Sequence, residues 1–224
     1  MENKNYKTEI ITDQNIKNDL FAKVEVVGDC EVGKTSIIKK LTKDEFSEDY
    51  TPTLGYEFFP VLIKVNEIIL KLQIWDMCGG ENYRSVLLNL YRNASLGILV
   101  YSVCSRKSFN NLENWIKQLK SYSFPGAKLF LIGNKCDDEE KREVSYEEGK
   151  KICEQNKCDF FMEVSAKNGF DSPNFLEKAA ICLYKDYELN KDSNTDTTIS
   201  LLNRSESIRL DKKHFKEKKK DKCC

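Results

Sequence analysis

The chain has 224 residues, 32% of them charged, and a formal net charge of zero. That length suits one medium domain with tails, and the charge balance argues against a general nucleic-acid binder. No run of about 18 apolar residues occurs, so no helix is expected to span a membrane. The polar stretch Met1 to Leu20 also lacks the apolar core of a signal peptide.

Nine cysteines are scattered along the chain without a CxxC pair. This spacing favours free thiols in a reducing cytosol over a zinc site. His214 is the only histidine and lies in the charged C-terminal stretch, so no histidine base or histidine-metal cluster is expected in the core.

Taken in order, residues 1–20 read as a flexible N-terminal extension. Ala22 to Val27 is a short apolar run that stops at Gly28, as a buried strand would. Val32 to Leu41 has helical spacing. Tyr56 to Lys64 and Ile68 to Trp75 read as strands joined in a hairpin at Val65-Asn66-Glu67. Leu96 to Val103, Lys128 to Gly133 and Phe160 to Val164 are further buried-strand candidates. Between and after them, Ser105 to Tyr122, Ser145 to Asn156 and Phe175 to Leu189 carry apolar residues at helical steps. Strands alternating with helices predict an α/β architecture, with a mostly parallel sheet, helices on both faces, and the site in the loops at the strand C-terminal ends. The domain is expected over 21–189. Residues 190–224, rich in Asn, Asp, Ser, Thr and Lys, read as a disordered basic tail.

Three strand ends and a fourth loop carry chemistry. Gly28-Asp29-Cys30-Glu31-Val32-Gly33-Lys34-Thr35 fits GxxxxGK[ST] between a strand and a helix, with Ser36 next in line. Loop amides and the helix N-terminus can surround phosphates. Lys34 would reach the β- and γ-phosphates, and Thr35 would offer its hydroxyl to Mg2+. The bland alternative is a lysine-bearing turn. Asp76 and Gly79 follow the third strand. A carboxylate there can hold Mg2+, mostly through water, and Gly79 can offer its N–H to a γ-phosphate. Asn134-Lys135-Cys136-Asp137 ends another strand. Asp137 can accept from guanine N1–H and the 2-amino group. Adenine offers neither, and the unpaired carboxylate would cost several kcal/mol, roughly. Ser165-Ala166-Lys167 can present a backbone N–H to guanine O6, although SAK alone carries almost no information.

Together and in this order, the motifs make residues 20–187 resemble a Ras-superfamily small GTPase. Lys71-Leu72-Gln73-Ile74-Trp75-Asp76, Leu90-Tyr91-Arg92-Asn93-Ala94, Ser108-Phe109-Asn110-Asn111 and Cys223-Cys224 resemble its Rab branch. The resemblance implies a three-layer P-loop GTPase fold with a six-stranded sheet and five helices. It implies GTP/GDP and Mg2+ as cofactors, and two switch segments that order around the γ-phosphate. Thr53 stands at the switch I threonine position, where its hydroxyl would bind Mg2+ in the GTP state. Phe46 stands where a ring packs on guanine, the alternative being a core aromatic. Implied partners are a GEF, a TBC-type GAP, effectors at the switches, a GDI, and a Rab escort protein with geranylgeranyl transferase. The protein is expected to be a monomer. Seven lysines against three acidic residues over 211–222 precede Cys223-Cys224, which resembles the double-geranylgeranylation signal. Two lipid chains anchor stably where one does not, and the lysines add attraction to an anionic leaflet. The expected location is the cytosolic face of an intracellular membrane, with a GDI-bound cytosolic pool.

The chain departs from the family in three places. Gly80 stands where the family has the Gln that orients the attacking water, so intrinsic hydrolysis is expected to be slow. Lys34, Thr53, Gly79 and Gly80 are then the catalytic set, short of its usual side chain. Cys30 and Glu31 replace small phosphate-loop residues. At about 6 Å and a dielectric near 20, a carboxylate beside triphosphate costs roughly 3 kcal/mol before screening, and solvent exposure would reduce this. Phe58 and Trp75 fit two of three aromatic effector positions, but the third falls on Leu90. The competing readings are a non-hydrolysing, GTP-bound scaffold and a small-molecule kinase. The latter is disfavoured by Asn134 to Asp137 and by the lack of a lid-like arginine cluster.

Overall fold

The computed structural model describes residues 6–49, 51–79, 92–169 and 172–191. Expectations that rest on Gly80, Leu90, Cys223, Cys224 and the tail beyond Lys191 lie outside the described residues.

The apolar run before the phosphate loop forms β2 (Leu20–Val27), which lies in the middle of the sheet. The hairpin is β3 (Tyr56–Val65) and β4 (Ile68–Met77), paired antiparallel from Tyr56↔Met77 to Val65↔Ile68. Its tight turn is Asn66-Glu67, with Asn66 at φ 54°, a left-handed conformation that Asn tolerates. Strands β5 (Leu96–Ser102), β6 (Lys128–Asn134) and β7 (Phe160–Val164) add in parallel on the other side of β2. A further strand, β1 (Thr8–Ile11), pairs antiparallel with the far end of β3. The order is β1-β3-β4-β2-β5-β6-β7.

Seven strands among the described residues replace the six expected, and part of the stretch expected to be a flexible lead-in is a strand. Its attachment is specific. Lys7 N–H donates to Asn66 Oδ1 at 3.1 Å, and Asn66 N–H donates to Lys7 O at 2.8 Å. The Tyr6 ring meets Tyr184 edge-on at 5.8 Å, and its hydroxyl donates to Glu188 Oε2 at 3.1 Å.

Helices α1 (Lys34–Lys43) and α5 (Ser172–Lys191) cover one face of the sheet, where Val24 and Val26 pack among Ile37, Ile38, Ala180 and Leu183. The other face, with Val27, Leu99 and Leu131, is covered by α3 (Leu112–Tyr122) and α4 (Tyr146–Asn156) through Trp115, Leu119 and Cys153. Each such fully buried side chain contributes about 2 kcal/mol, so both faces hold the sheet. The single helix expected over 105–122 is two, α2 (Arg106–Asn110) and α3, meeting at Asn111. Helix α5 begins before Phe175 and runs two residues past Leu189, so the backbone of residues 190 and 191 is helical.

Strand order reverses around β2, whose neighbours are β4 and β5. The crevice beyond its C-terminal end is where a sheet of this kind holds a ligand. The phosphate-loop, DxxG, NKxD and SAK segments all leave strand C-termini on this side.

Candidate nucleotide and magnesium site

Val27 ends β2 and Lys34 begins α1, so residues 28–33 form the loop between them. Two of its glycines are required by space. Gly28 has φ +147°, and a Cβ there would lie 2.1 Å from Val100 O; at Gly33, with φ +92°, it would lie 2.2 Å from Asn134 Nδ2. No side chain caps Gly33 at the helix N-terminus, which leaves the first-turn amides and the helix dipole facing the loop. Lys34 is 6% exposed. Its ammonium donates to Gly28 O at 3.0 Å and Asp29 O at 2.7 Å. An ammonium has three donors, so one remains for an anion. Burial pushes the Lys34 pKa down, against the pull of Asp76. A buried cation with a donor to spare, at the N-terminus of a helix, is what a phosphate group fits.

The oxygens for a divalent cation lie beside it. Thr35 Oγ1 donates to Asp76 Oδ2 and lies 2.9 Å from Thr53 Oγ1, which lies 3.4 Å from the same carboxylate oxygen. Asp76 is fully buried, and burial pushes its pKa up to about 6 despite the Thr35 hydrogen bond and Lys34. Its Oδ1 is buried and accepts no hydrogen bond from the described residues. A buried, unpartnered carboxylate oxygen is costly in apolar surroundings. Two hydroxyls and this carboxylate are a hard oxygen set that fits Mg2+. Gly79 lies against the phosphate loop, since a Cβ there would come within 2.4 Å of Cys30 N and 2.5 Å of Asp29 C. No other side chain fits that contact.

At the base end, Asn134 is 2% exposed and joins three loops. Its Nδ2 donates to Val32 O at 2.9 Å, and its Oδ1 accepts from Ala166 N–H at 3.1 Å. Ser165 Oγ accepts from Asn168 N–H at 2.8 Å, which turns the SAK segment back on itself. Lys135, at φ 66°, and Asp137 are exposed beside it. Lys167 Nζ meets Glu48 Oε1 at 2.7 Å, bridging this loop to the segment that carries Phe46. Phe46 is 37% exposed, so it is not the core aromatic of the alternative reading.

Cys30 and Glu31 are exposed. Glu31 holds φ 64°, the left-handed region where a non-glycine residue costs about 1 kcal/mol. Phe58, 41% exposed, lies 5.0 Å from the Trp75 ring, and Tyr56 lies 5.2 Å from it. Ser36 sits half-buried in the first turn of α1.

Two positioning residues escaped the sequence reading. Asp29 accepts from Asn111 Nδ2 at 2.6 Å and from Trp115 Nε1 at 2.8 Å, so both carboxylate oxygens are held from the α2–α3 junction. Trp115 had read only as part of an apolar helix face. The missing clue was its N–H, one turn from Asn111, as a partner for the phosphate-loop residue Asp29. Trp115→Phe keeps most of the ring volume and deletes that donor. It is expected to lower the unfolding free energy by about 2 kcal/mol and to speed release of a fluorescent guanine nucleotide severalfold. Denaturant titration and stopped-flow dissociation read the two effects.

The sequence profile of the Ras family matches residues 23–185. The chain is 39% identical over 202 residues to Ras-related protein Rab-3B of Bos taurus, covering 89% of this chain and 88% of the relative. It is 32% identical over 219 residues to Ras-related protein Rab-11B of Dictyostelium discoideum, covering 94% and 99%. It is 38% identical over 167 residues to Ras-related protein Rab-3C of Bos taurus, covering 75% and 72%. The chain belongs to the Ras family of small GTPases. Within that family it is a Rab-like protein.

Proposed function

We propose that this Rab-like GTPase binds GTP or GDP with Mg2+, hydrolyses GTP slowly on its own, and regulates vesicle traffic through its switch conformation. The observation that carries this reading is the convergence of the buried Lys34 ammonium with the oxygens of Thr35, Thr53 and Asp76. Lys34 and the loop amides of residues 28–33 hold the phosphates and stabilise charge that builds on the transferred phosphoryl group. Thr35, Thr53 and Asp76 hold Mg2+, which supplies neutralisation of phosphate charge when bound. Gly79 offers its N–H to the γ-phosphate. Asp137 selects guanine, Asn134 fixes the loops that meet it, Ala166 offers an N–H to the base, and Phe46 covers the ring.

Gly80 has no side chain with which to orient water, so the intrinsic rate is low and the protein rests largely with GTP. A TBC-type GAP supplying Arg and Gln restores turnover, a GEF reloads the site, and effectors read Phe58, Trp75 and the switches. Cys223 and Cys224 carry two prenyl groups, added with an escort protein and geranylgeranyl transferase and masked by a GDI in the cytosol. The basic tail adds attraction to the membrane.

The same Gly80 favours a second reading, a permanently GTP-bound scaffold that recruits effectors. Single-turnover hydrolysis separates the two. Gly80→Gln is expected to raise the intrinsic rate at least about tenfold, about 1.4 kcal/mol of barrier. Ordinary hydrolysis by the unaltered protein, with no gain in Gly80→Gln, contradicts the slow-hydrolysis proposal. Failure of any TBC-type GAP to stimulate a slow rate favours the scaffold.

A further inference from the structure

Helix α4 ends in a turn that places two thiols together. Lys157 adopts φ 57° and ψ 45°, and its N–H donates to Glu154 O at 3.1 Å. The next residue, Cys158, donates its N–H to Cys153 O at 2.9 Å. This pair of bonds is the Schellman arrangement, in which the residue after the left-handed position returns onto the last full turn of the helix. The two side chains it brings into contact are commonly apolar. Here both are cysteines, Cys153 and Cys158, packed in the same apolar cluster. Cys153 Sγ also contacts Phe160 O at 3.8 Å, on the first residue of β7. Cys153 is 7% exposed, whereas Cys158 is partly exposed.

We propose that Cys153 and Cys158 are a redox modification site, which a small-molecule disulfide of the glutathione class oxidises to an intramolecular disulfide. The Cys158 thiolate attacks one sulfur of the small disulfide, whose S–S bond breaks, and one small thiolate leaves and takes up the Cys158 proton. Cys153 then attacks Cys158 Sγ in the mixed disulfide. The Cys153–Cys158 bond forms, and the second small thiol leaves with the Cys153 proton. The protein loses two electrons and two protons, and the small disulfide is reduced to two thiols. The turn holds the resolving thiol against the mixed disulfide, so the second step is intramolecular and fast. Burial raises both thiols above the ordinary cysteine range. The first step is therefore slow at neutral pH and accelerates as pH rises, because the thiolate is the nucleophile. The closed ring spans residues 153–158 and pins the C-terminal turn of α4, two residues before β7, the strand that leads into Ser165-Ala166-Lys167.

The test uses the full chain incubated with oxidised glutathione, then blocked with an alkylating agent and digested with trypsin. Cleavage after Lys157 separates the two cysteines, so the cross-link appears as peptides 152–157 and 158–167 joined with loss of two hydrogens. The expected result is that this joined species dominates at the pair and forms faster at pH 8.5 than at pH 7. Cys158→Ser should abolish it and leave Cys153 alkylatable, whereas Cys153→Ala should trap glutathione on Cys158. Recovery of both peptides singly alkylated, while exposed Cys30 carries glutathione, overturns the proposal. So does loss of the Cys153 thiol in Cys158→Ser at the unaltered rate.

Discussion

Lys34→Met will weaken GTP and GDP binding by at least about a hundredfold, about 3 kcal/mol, while leaving the nucleotide-free protein at least as stable as before. The two effects have opposite signs because Lys34 is a buried cation held by carbonyls. Removing one partner of a desolvated, charge-assisted contact costs about 2–5 kcal/mol. Among the described residues its ammonium has Gly28 O at 3.0 Å and Asp29 O at 2.7 Å as close acceptors. Burial already disfavours its charge there. Methionine fills the same volume without that desolvation cost. Isothermal titration reads the lost affinity. Thermal unfolding with and without GDP reads the rest: an unchanged or higher midpoint without nucleotide, and a smaller rise than the unaltered protein shows when GDP is added. Retained affinity would remove Lys34 from the phosphate site.

Glu25→Leu will stabilise the protein by about 2–3 kcal/mol at pH 8. Glu25 has no exposed surface and lies on central strand β2, opposite Trp75 in the β4 register. Its close charged partner is Lys23, at 2.9 Å, whose Nζ also donates to Arg92 O at 3.0 Å and sits 5.7 Å over the Trp75 ring. Burial lifts the Glu25 pKa from 4.5 to about 7, with Lys23 pulling the other way. The folded state therefore holds a proton that the unfolded state has released across that window. The contribution of Glu25 to stability is greatest below pH 4.5 and falls as pH rises towards 7, by about 3 kcal/mol in all. A leucine removes the desolvation penalty, and Lys23 keeps its Arg92 carbonyl. Replacing buried ion pairs by apolar residues is often stabilising, so Lys23→Met with Glu25→Leu should be at least as stable. Urea unfolding from pH 5 to pH 8 checks both the gain and the flattened pH slope. A destabilised Glu25→Leu at pH 8 would mean that the ion pair is worth more than its burial costs.

These two residues mark how the sequence could and could not be read. Lys34 was legible because GxxxxGK[ST] needs glycine at fixed places, and the structure gives Gly28 and Gly33 the close contacts that exclude a Cβ. Glu25 was hidden inside a run read as apolar, because strand periodicity weighs a stretch and not its one charged member. Strand β1 was missed for a related reason. Thr8–Ile11 is short and lies among polar residues, and its pairing with β3 is tertiary. Helical spacing found α3 but could not show that Asn111 and Trp115 turn polar atoms towards Asp29. The NKxD and SAK segments were placed correctly at strand ends, but Asn134 as the bolt between Val32 and Ala166 is a fact of three dimensions. The Schellman turn at Lys157 is likewise set by backbone geometry, which scattered cysteines do not announce.

The central claim is a guanine-selective site that rests with GTP because Gly80 cannot orient water. Its most direct test is to denature the purified protein and identify the nucleotide released. The expected result is one guanine nucleotide per chain, with GTP in excess of GDP. Release of GDP in excess of GTP, of an adenine nucleotide, or of none from protein purified with Mg2+, would contradict the account.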